Sequence, residues 1–294
     1  MSTTKTLSDT ASNLGATLKG IAKIALQSRP LPRPAAPADR RLIILANGPS
    51  LRTTLDTQAD LLRSTRTMAV NFFANAPEFD LIRPSMYILA DPHFFTATGQ
   101  ANVDSLWQRL GEPGRDITVY VPARSMAAAR ARIGSDAAGR LRPFNCVGVE
   151  GFAAFERAVY SRGLAMPRPR NVLIPAIMTA LRAGYSEIYL AGADHSWMET
   201  IRVTDANEVV SIQPHFYTDS GAETSRITTA YRDIRLHQVI HSFYTAFAAY
   251  HRIRRYADSI GARIYNATPG SYIDAFERRP LSLMHDAGCM IHDS

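Results

Sequence analysis

The sequence predicts an α/β protein built on a mostly parallel, doubly wound sheet, and three observations carry that reading. From residue 41 onward, short apolar runs alternate with longer segments of helical periodicity, the pattern of strands joined by crossover helices. The runs are apolar at consecutive rather than alternating positions, as in "LIILA" at 42–46, which fits strands covered on both faces. Five of the runs are followed at once by Asn or Asp, a recurrence that a sheet with all its carboxyl ends on one side would gather into a single rim.

The first forty residues stand apart. Leu14, Leu18, Ile21 and Ala25 fall at helical spacing with Lys19 and Lys23 on another face, and a proline-rich linker follows from Pro30 to Pro37. Seven Lys/Arg against two Asp within residues 1–41 put a net +5 there, out of +7 for the whole chain. The tail is therefore expected to be a loosely ordered appendage, or a helix for an anionic inner-membrane surface or for a homo-oligomer contact. The rest of the chain is nearly neutral, which argues against a nucleic-acid footprint.

Strands are expected near 41–46, 67–70, 86–90, 116–121, 187–191 and 262–265, within one domain spanning 41–281. A long helix is expected over about 227–260. The polar stretch 195–226 is too long for an ordinary connection and reads as a lid. Residues 282–294 read as a C-terminal tail. Cys146 and Cys289 show neither zinc nor disulfide spacing, and there is no secretory signal layout and no long apolar run, so a cytoplasmic location is expected.

All three lysines, Lys5, Lys19 and Lys23, lie in the tail. The body thus lacks the lysine of a phosphate-loop ATPase or of Schiff-base chemistry. The residues after the runs are Asn47, Asn71, Asp91, Asp194 and Asn266. Such side chains cap helices and turns in many proteins, yet at a sheet rim they also suit hydroxyls and base edges. In "ANGPSL", Gly48 permits close backbone approach, Pro49 fits a first helical turn, and Ser50 can cap or bind, with helix amides offered to an anion.

"ANGPSL", "VNFF", "ADPHFF" and "ALRAGYSEIYLAGADH", together with "HFY" and "IYNATPGSYIDAF", resemble the bacterial sialyltransferases that use CMP-sialic acid, a Rossmann-like GT-A-variant family, and their surface-polysaccharide relatives. The resemblance covers roughly residues 41–280. It implies that Asn47, Gly48, Ser50 and Asn71 meet the nucleotide, that Asp91 stands where the family has a donor-site Asn, and that Asp194 lies near the ribose or base. Asn171 begins the turn that the family places before its long helix and joins the nucleotide set. His215 matches the first lid histidine, and Asp219 occupies the position of the family's general base.

The chemistry implied is transfer of a sialic-acid-like or other keto-sugar acid from a CMP-activated donor to a cell-surface glycan, with no cofactor. No Asp-x-Asp is present, so leaving-group stabilisation falls to Tyr217, Arg170 and Arg226. His215 has the natural pKa of a general base, with Asp219 as its rival or partner. Asp91/His93 and Asp194/His195 form a possible metal pair. His237 and His241, four apart but without an intervening Glu, read as an ordinary helix pair. Two alternatives stand beside the transferase: an ATP- and Mg²⁺-dependent diphosphotransferase of the hydroxymethylpterin diphosphokinase type, and a non-catalytic nucleotide- or glycan-binding scaffold.

Overall fold

The computed structural model describes residues 2–210, 216 and 234–284. The chain opens with helix α1 (Ser2–Gln27). Strand β1 (Arg41–Leu45), helix α2 (Leu51–Ser64), strand β2 (Thr67–Val70), helix α3 (Glu78–Ile82) and strand β3 (Met86–Ile88) follow. Helices α4 (His93–Thr96) and α5 (Ala101–Gly111) lead to strand β4 (Thr118–Pro122), helix α6 (Met126–Ile133) and strand β5 (Leu141–Phe144). Helices α7 (Ala153–Ser161) and α8 (Leu173–Ala183) precede strand β6 (Glu187–Ala191). A short antiparallel pair, β7 (Arg202–Val203) and β8 (Val209–Val210), is followed by helix α9 (Leu236–Ser259) and strands β9 (Arg263–Asn266) and β10 (Glu277–Arg278).

Eight strands form one sheet in the order β10-β9-β6-β1-β2-β3-β4-β5, with every neighbouring pair parallel. From β1 the chain winds outward through β5, then returns to place β6 on the other side of β1. The order therefore reverses between β1 and β6, and the crevice at their carboxyl ends is the switch point of the fold. Leu42 and Ile44 pack on one face with α8 and α9, and Ile43 and Leu45 pack on the other with α2, α3 and α5. This explains the unbroken apolar run: all four side chains are fully buried because helices cover both sides.

Two sheet strands lie outside those expected. β5 reads "LRPF", and Pro143 argues against a central strand; at an edge its missing N–H costs no ladder bond. β10 is two residues long at the other edge. The long helix starts at Leu236 rather than near 227.

The N-terminal segment is docked rather than loose. α1 packs its small-residue face on the body: a Cβ at Gly20 would lie 2.7 Å from Val149 Cγ1, so only glycine permits this approach. Thr17 Oγ1 accepts the Phe152 N–H (3.1 Å), Lys23 Nζ donates to the Gly148 carbonyl (3.2 Å), and Ser28 Oγ donates to the Leu164 carbonyl (2.5 Å). The linker is pinned as well, Arg182 Nη2 donating to the Leu31 carbonyl at 2.6 Å. The apolar stripe read from the sequence is the opposite face of the helix: Leu14, Leu18 and Ile21 are each more than half exposed, at 52%, 59% and 51%.

Candidate active site

At the switch point the turns after β1 and β6 cross in close contact. The Gly48 N–H donates to the Gly192 carbonyl (2.8 Å), and a Cβ at Gly48 would stand 2.5 Å from that oxygen and 2.0 Å from Asp194 Oδ2. Gly192 has φ +69° and passes close under Ala46 and Leu51. Asp194 takes both polar groups of Ser50, accepting the hydroxyl at 2.8 Å and the backbone N–H at 3.2 Å.

Ser50 is accordingly not on the cavity wall, and the Ser50, Leu51 and Arg52 amides at the start of α2, which the sequence suggested were free for an anion, are taken up within the protein. Leu51 N–H goes to the Gly48 carbonyl and Arg52 N–H to the Pro49 carbonyl, a tightened first turn closed by the Asp194 carboxylate.

Above this crossing lies a cavity of about 450 Å³. Seven of the residues that the sequence analysis assigned to the nucleotide or its phosphate line it: Asn47, Gly48, Asn71, Asp91, Arg170, Asn171 and Asp194. Several also hold the local backbone. Asn47 Nδ2 donates to the Val70 carbonyl (3.2 Å), tying the ends of β1 and β2. Asp91 Oδ1 accepts the His93 N–H (2.9 Å), and Asn171 Oδ1 accepts the Leu173 and Ile174 N–H groups (3.0 and 3.3 Å), capping α8. Asn71 adopts left-handed φ (+50°), and its Oδ1 is buried with no hydrogen-bond partner among the described residues. Arg170 is exposed at the mouth, and no ion pair of its side chain is present among the described residues.

Asn266 is the exception at the rim. It does not line the cavity; its side chain accepts the Thr268 N–H (3.1 Å) and donates to the Ile273 carbonyl (3.0 Å). Thr268 and Ser271 then brace the β6 turn, Thr268 Oγ1 accepting the Ala193 N–H (3.0 Å) and Ser271 Oγ donating to the Ala193 carbonyl (2.6 Å). The "NATPGS" segment supports the site from behind.

His195 emerges as a wall residue that the sequence offered only as a metal ligand. It has φ +54°, is 8% exposed, and packs at a 33° tilt against Trp197 with ring centroids 4.2 Å apart. Its Nε2 lies 2.6 Å from the Tyr250 hydroxyl, which is 3.0 Å from Asn171 Oδ1. The two backbone N–H groups fix that Asn171 atom as oxygen, so its Nδ2, a donor, lies 3.5 Å from His195 Nε2, and the three side chains form one closed polar group whose proton positions follow the His195 tautomer. Burial lowers the His195 pKa to about 3, so the ring is neutral at physiological pH. Cys146, also on the wall, is pushed up to about 11 by burial and is an inert thiol.

Among the described residues, no three His, Cys, Asp or Glu side chains gather into a metal site. His237 and His241 are both exposed on α9, as an ordinary helix pair. Of the expected lid, the described part 195–210 forms a 3₁₀ turn and the β7/β8 hairpin, with Trp197, Ile201 and Val209 packed against Val239 and Phe243 of α9. His215, Tyr217, Asp219 and Arg226 lie outside the described residues. Phe216, between His215 and Tyr217, is buried; its N–H donates to the Asn47 carbonyl (3.1 Å) and its ring packs on Phe73 (5.4 Å).

No protein-family model matches the chain, and no curated protein does. Among solved structures, the MAf glycosyltransferase from Magnetospirillum magneticum AMB-1 aligns at 12% identity with a TM-score of 0.48, over 90% of this chain and 38% of that one. The chain thus spans well under half the length of that protein.

The His195 environment sets a pH dependence. Its folded pKa of about 3 lies below the ordinary histidine value, so the unfolded chain binds the extra proton first. Stability is full above about pH 6.5 and falls toward pH 3, by at most about 1.4 kcal/mol per pH unit. His195→Gln should flatten that limb in urea unfolding measured across this range. An unchanged slope would show that the buried imidazole does not control it.

Proposed function

We propose that the chain is a glycosyltransferase that binds a CMP-activated sugar in the switch-point cavity and moves the sugar to a cell-surface glycan. The donor sugar is a sialic-acid-like or other keto-sugar acid. The observation that carries the reading is the scarcity of basic groups on the wall: among the described residues lining it, Arg170 is the one Lys or Arg, beside the carboxylates of Asp91 and Asp194, and His195 is neutral. One guanidinium matches one phosphate, as in a nucleoside monophosphate donor, and not the triphosphate of ATP. Asn47 and Asn71 offer amide groups, and Phe72, Phe94 and Trp197 offer aromatic surface, which together suit a base and a ribose.

In this reading the bond from the anomeric carbon to the phosphate oxygen breaks through an oxocarbenium-like state. Arg170 stabilises the charge gathering on the departing CMP. The acceptor hydroxyl attacks the anomeric carbon and gives its proton to a base, for which His215 is proposed with Asp219 orienting it. The anchoring of Phe216 on the Asn47 carbonyl supports a role for this segment at the rim. The transfer is proposed to need no metal or cofactor, and the enzyme to work in the cytoplasm at the inner-membrane surface.

Calorimetry with CMP, UDP and ATP, with and without Mg²⁺, tests the donor. CMP should bind without metal, and Arg170→Ala should weaken it about ten- to a hundredfold with an unchanged Tm, since that exposed side chain makes no hydrogen bond or ion pair among the described residues. Binding of ATP alone, and only with Mg²⁺, would support the diphosphotransferase; CMP binding without turnover would support the scaffold.

For the base, His215→Ala should cost roughly a hundred- to ten-thousandfold in kcat/KM and erase the acidic limb near pH 6.5. If Asp219→Asn alone shows that loss, the role moves to Asp219.

For the membrane, the outward stripe of α1 with its basic surroundings suits an anionic bilayer. The wild type should sediment with anionic vesicles at low salt. Leu14→Ser/Leu18→Ser/Ile21→Ser should not, while it keeps turnover of a soluble acceptor. A wild type that stays in the supernatant would contradict this.

A further inference from the structure

A second cavity, of about 530 Å³, opens at the opposite end of the sheet, beneath the proline-rich linker and beside the amino ends of β3 and β4. Arg33, Arg66, Arg142 and Arg182 line it, and no Asp or Glu does among the described residues. Asp39, which feels the Arg66 charge, is already engaged by the Arg41 guanidinium (3.2 and 3.3 Å). Burial first, and then the like charge of Arg33, lower the pKa of Arg182. Arg182 donates to the Leu31 and Pro32 carbonyls and Arg142 to the Gly139 and Leu141 carbonyls, but these acceptors are uncharged, so four guanidinium groups around a space with no lining carboxylate among the described residues favour an anion there.

A second observation points the same way. Thr179, on α8, is 6% exposed and lines this cavity, and its Oγ1 is buried with no hydrogen-bond partner among the described residues. A buried hydroxyl left unpaired is costly, and a turn of its χ1 toward the cavity would let a ligand oxygen pair it. Pro32, Pro34, Met86 and Phe144 give the cavity an apolar side as well.

We propose that this cavity is a binding site for a phosphorylated small molecule, its phosphates held by the arginines and the Thr179 hydroxyl and its organic part lying on the apolar wall. Guanidinium groups match phosphate oxygens in paired hydrogen bonds, and the arginines come from four separate segments, which fits a ligand bearing more than one phosphate charge. The linker forms part of the wall, so the ligand would also fasten the linker to the sheet. The site is independent of the nucleotide cavity at the other end of the strands.

Inorganic pyrophosphate is the probe, titrated at low salt by calorimetry into the full-length protein. Arg66→Gln/Arg142→Gln should weaken it tenfold or more, and Thr179→Val about tenfold, with a Tm equal to or above wild type. Arg170→Ala, in the other cavity, should leave pyrophosphate affinity unchanged. In that Arg170→Ala background, UDP binding tighter than pyrophosphate supports an organic phosphate, and equal or weaker binding overturns that half of the proposal. No pyrophosphate binding by the wild type, unchanged affinity in both the arginine and Thr179 variants, or loss of binding in Arg170→Ala would overturn the site.

Discussion

The carboxyl rim of this protein depends on the crossing of two turns, where Gly48 passes over Gly192 and the Asp194 carboxylate closes on Ser50. A side chain at either glycine would collide with backbone: with the Gly192 carbonyl in one case and the Ala46 carbonyl, at 2.6 Å, in the other. The contact lets β1 and β6, adjacent in the sheet but far apart in sequence, end in a common floor. Asp194 completes the floor by serving as the helix cap that the α2 turn lacks locally. Thr268, Ser271 and the Tyr272 N–H, which donates to the Asp194 carbonyl at 2.9 Å, hold the second turn from behind. Groups fixed in this way keep their geometry before a ligand arrives, the condition for an economical binding site.

The electrostatics of the two cavities divide sharply along the strand direction. At the carboxyl ends, polar amides, the carboxylates of Asp91 and Asp194, an imidazole kept neutral by burial, and one mouth arginine surround a polar space. At the amino ends, four arginines face a space with no lining carboxylate among the described residues. A parallel sheet places its crossover helices so that both ends stay open between layers, and here each end has been given a different charge. The docked N-terminal segment belongs to the second end: its linker walls that cavity, while α1 turns its apolar stripe outward.

Much of the fold was legible from residues 41 onward because strands buried on both faces carry an uninterrupted apolar signal, as Leu42 to Leu45 do. The edges were not: Pro143 masks β5, and β10 is too short to have a period. Asn47, Asn71, Asp91 and Asp194 could be gathered from sequence because a parallel sheet puts its strand ends on one side. What sequence could not divide was the work of each. Ser50 and Asn266 turned out to brace the turns: Ser50 through Asp194, 144 residues along the chain, which leaves no local pattern, and Asn266 through its near neighbours Thr268 and Ile273. The His195–Tyr250–Asn171 chain was hidden for the same reason as the Ser50 contact, joining a strand end, a long helix and a helix cap. In α1, the apolar stripe caught attention while the docking face consisted of Thr17, Gly20 and Lys23, whose smallness or polarity is silent in a hydrophobicity pattern.

Amide hydrogen exchange with and without CMP reports where the nucleotide sits without relying on turnover. Exchange should slow in the turns after β1 and β6, at residues 47–50 and 192–197, and at 170–174, with the linker 31–37 unaffected. Unchanged exchange in those turns under saturating CMP, or protection confined to the linker and the arginine-lined cavity, would contradict a nucleotide site at the carboxyl rim.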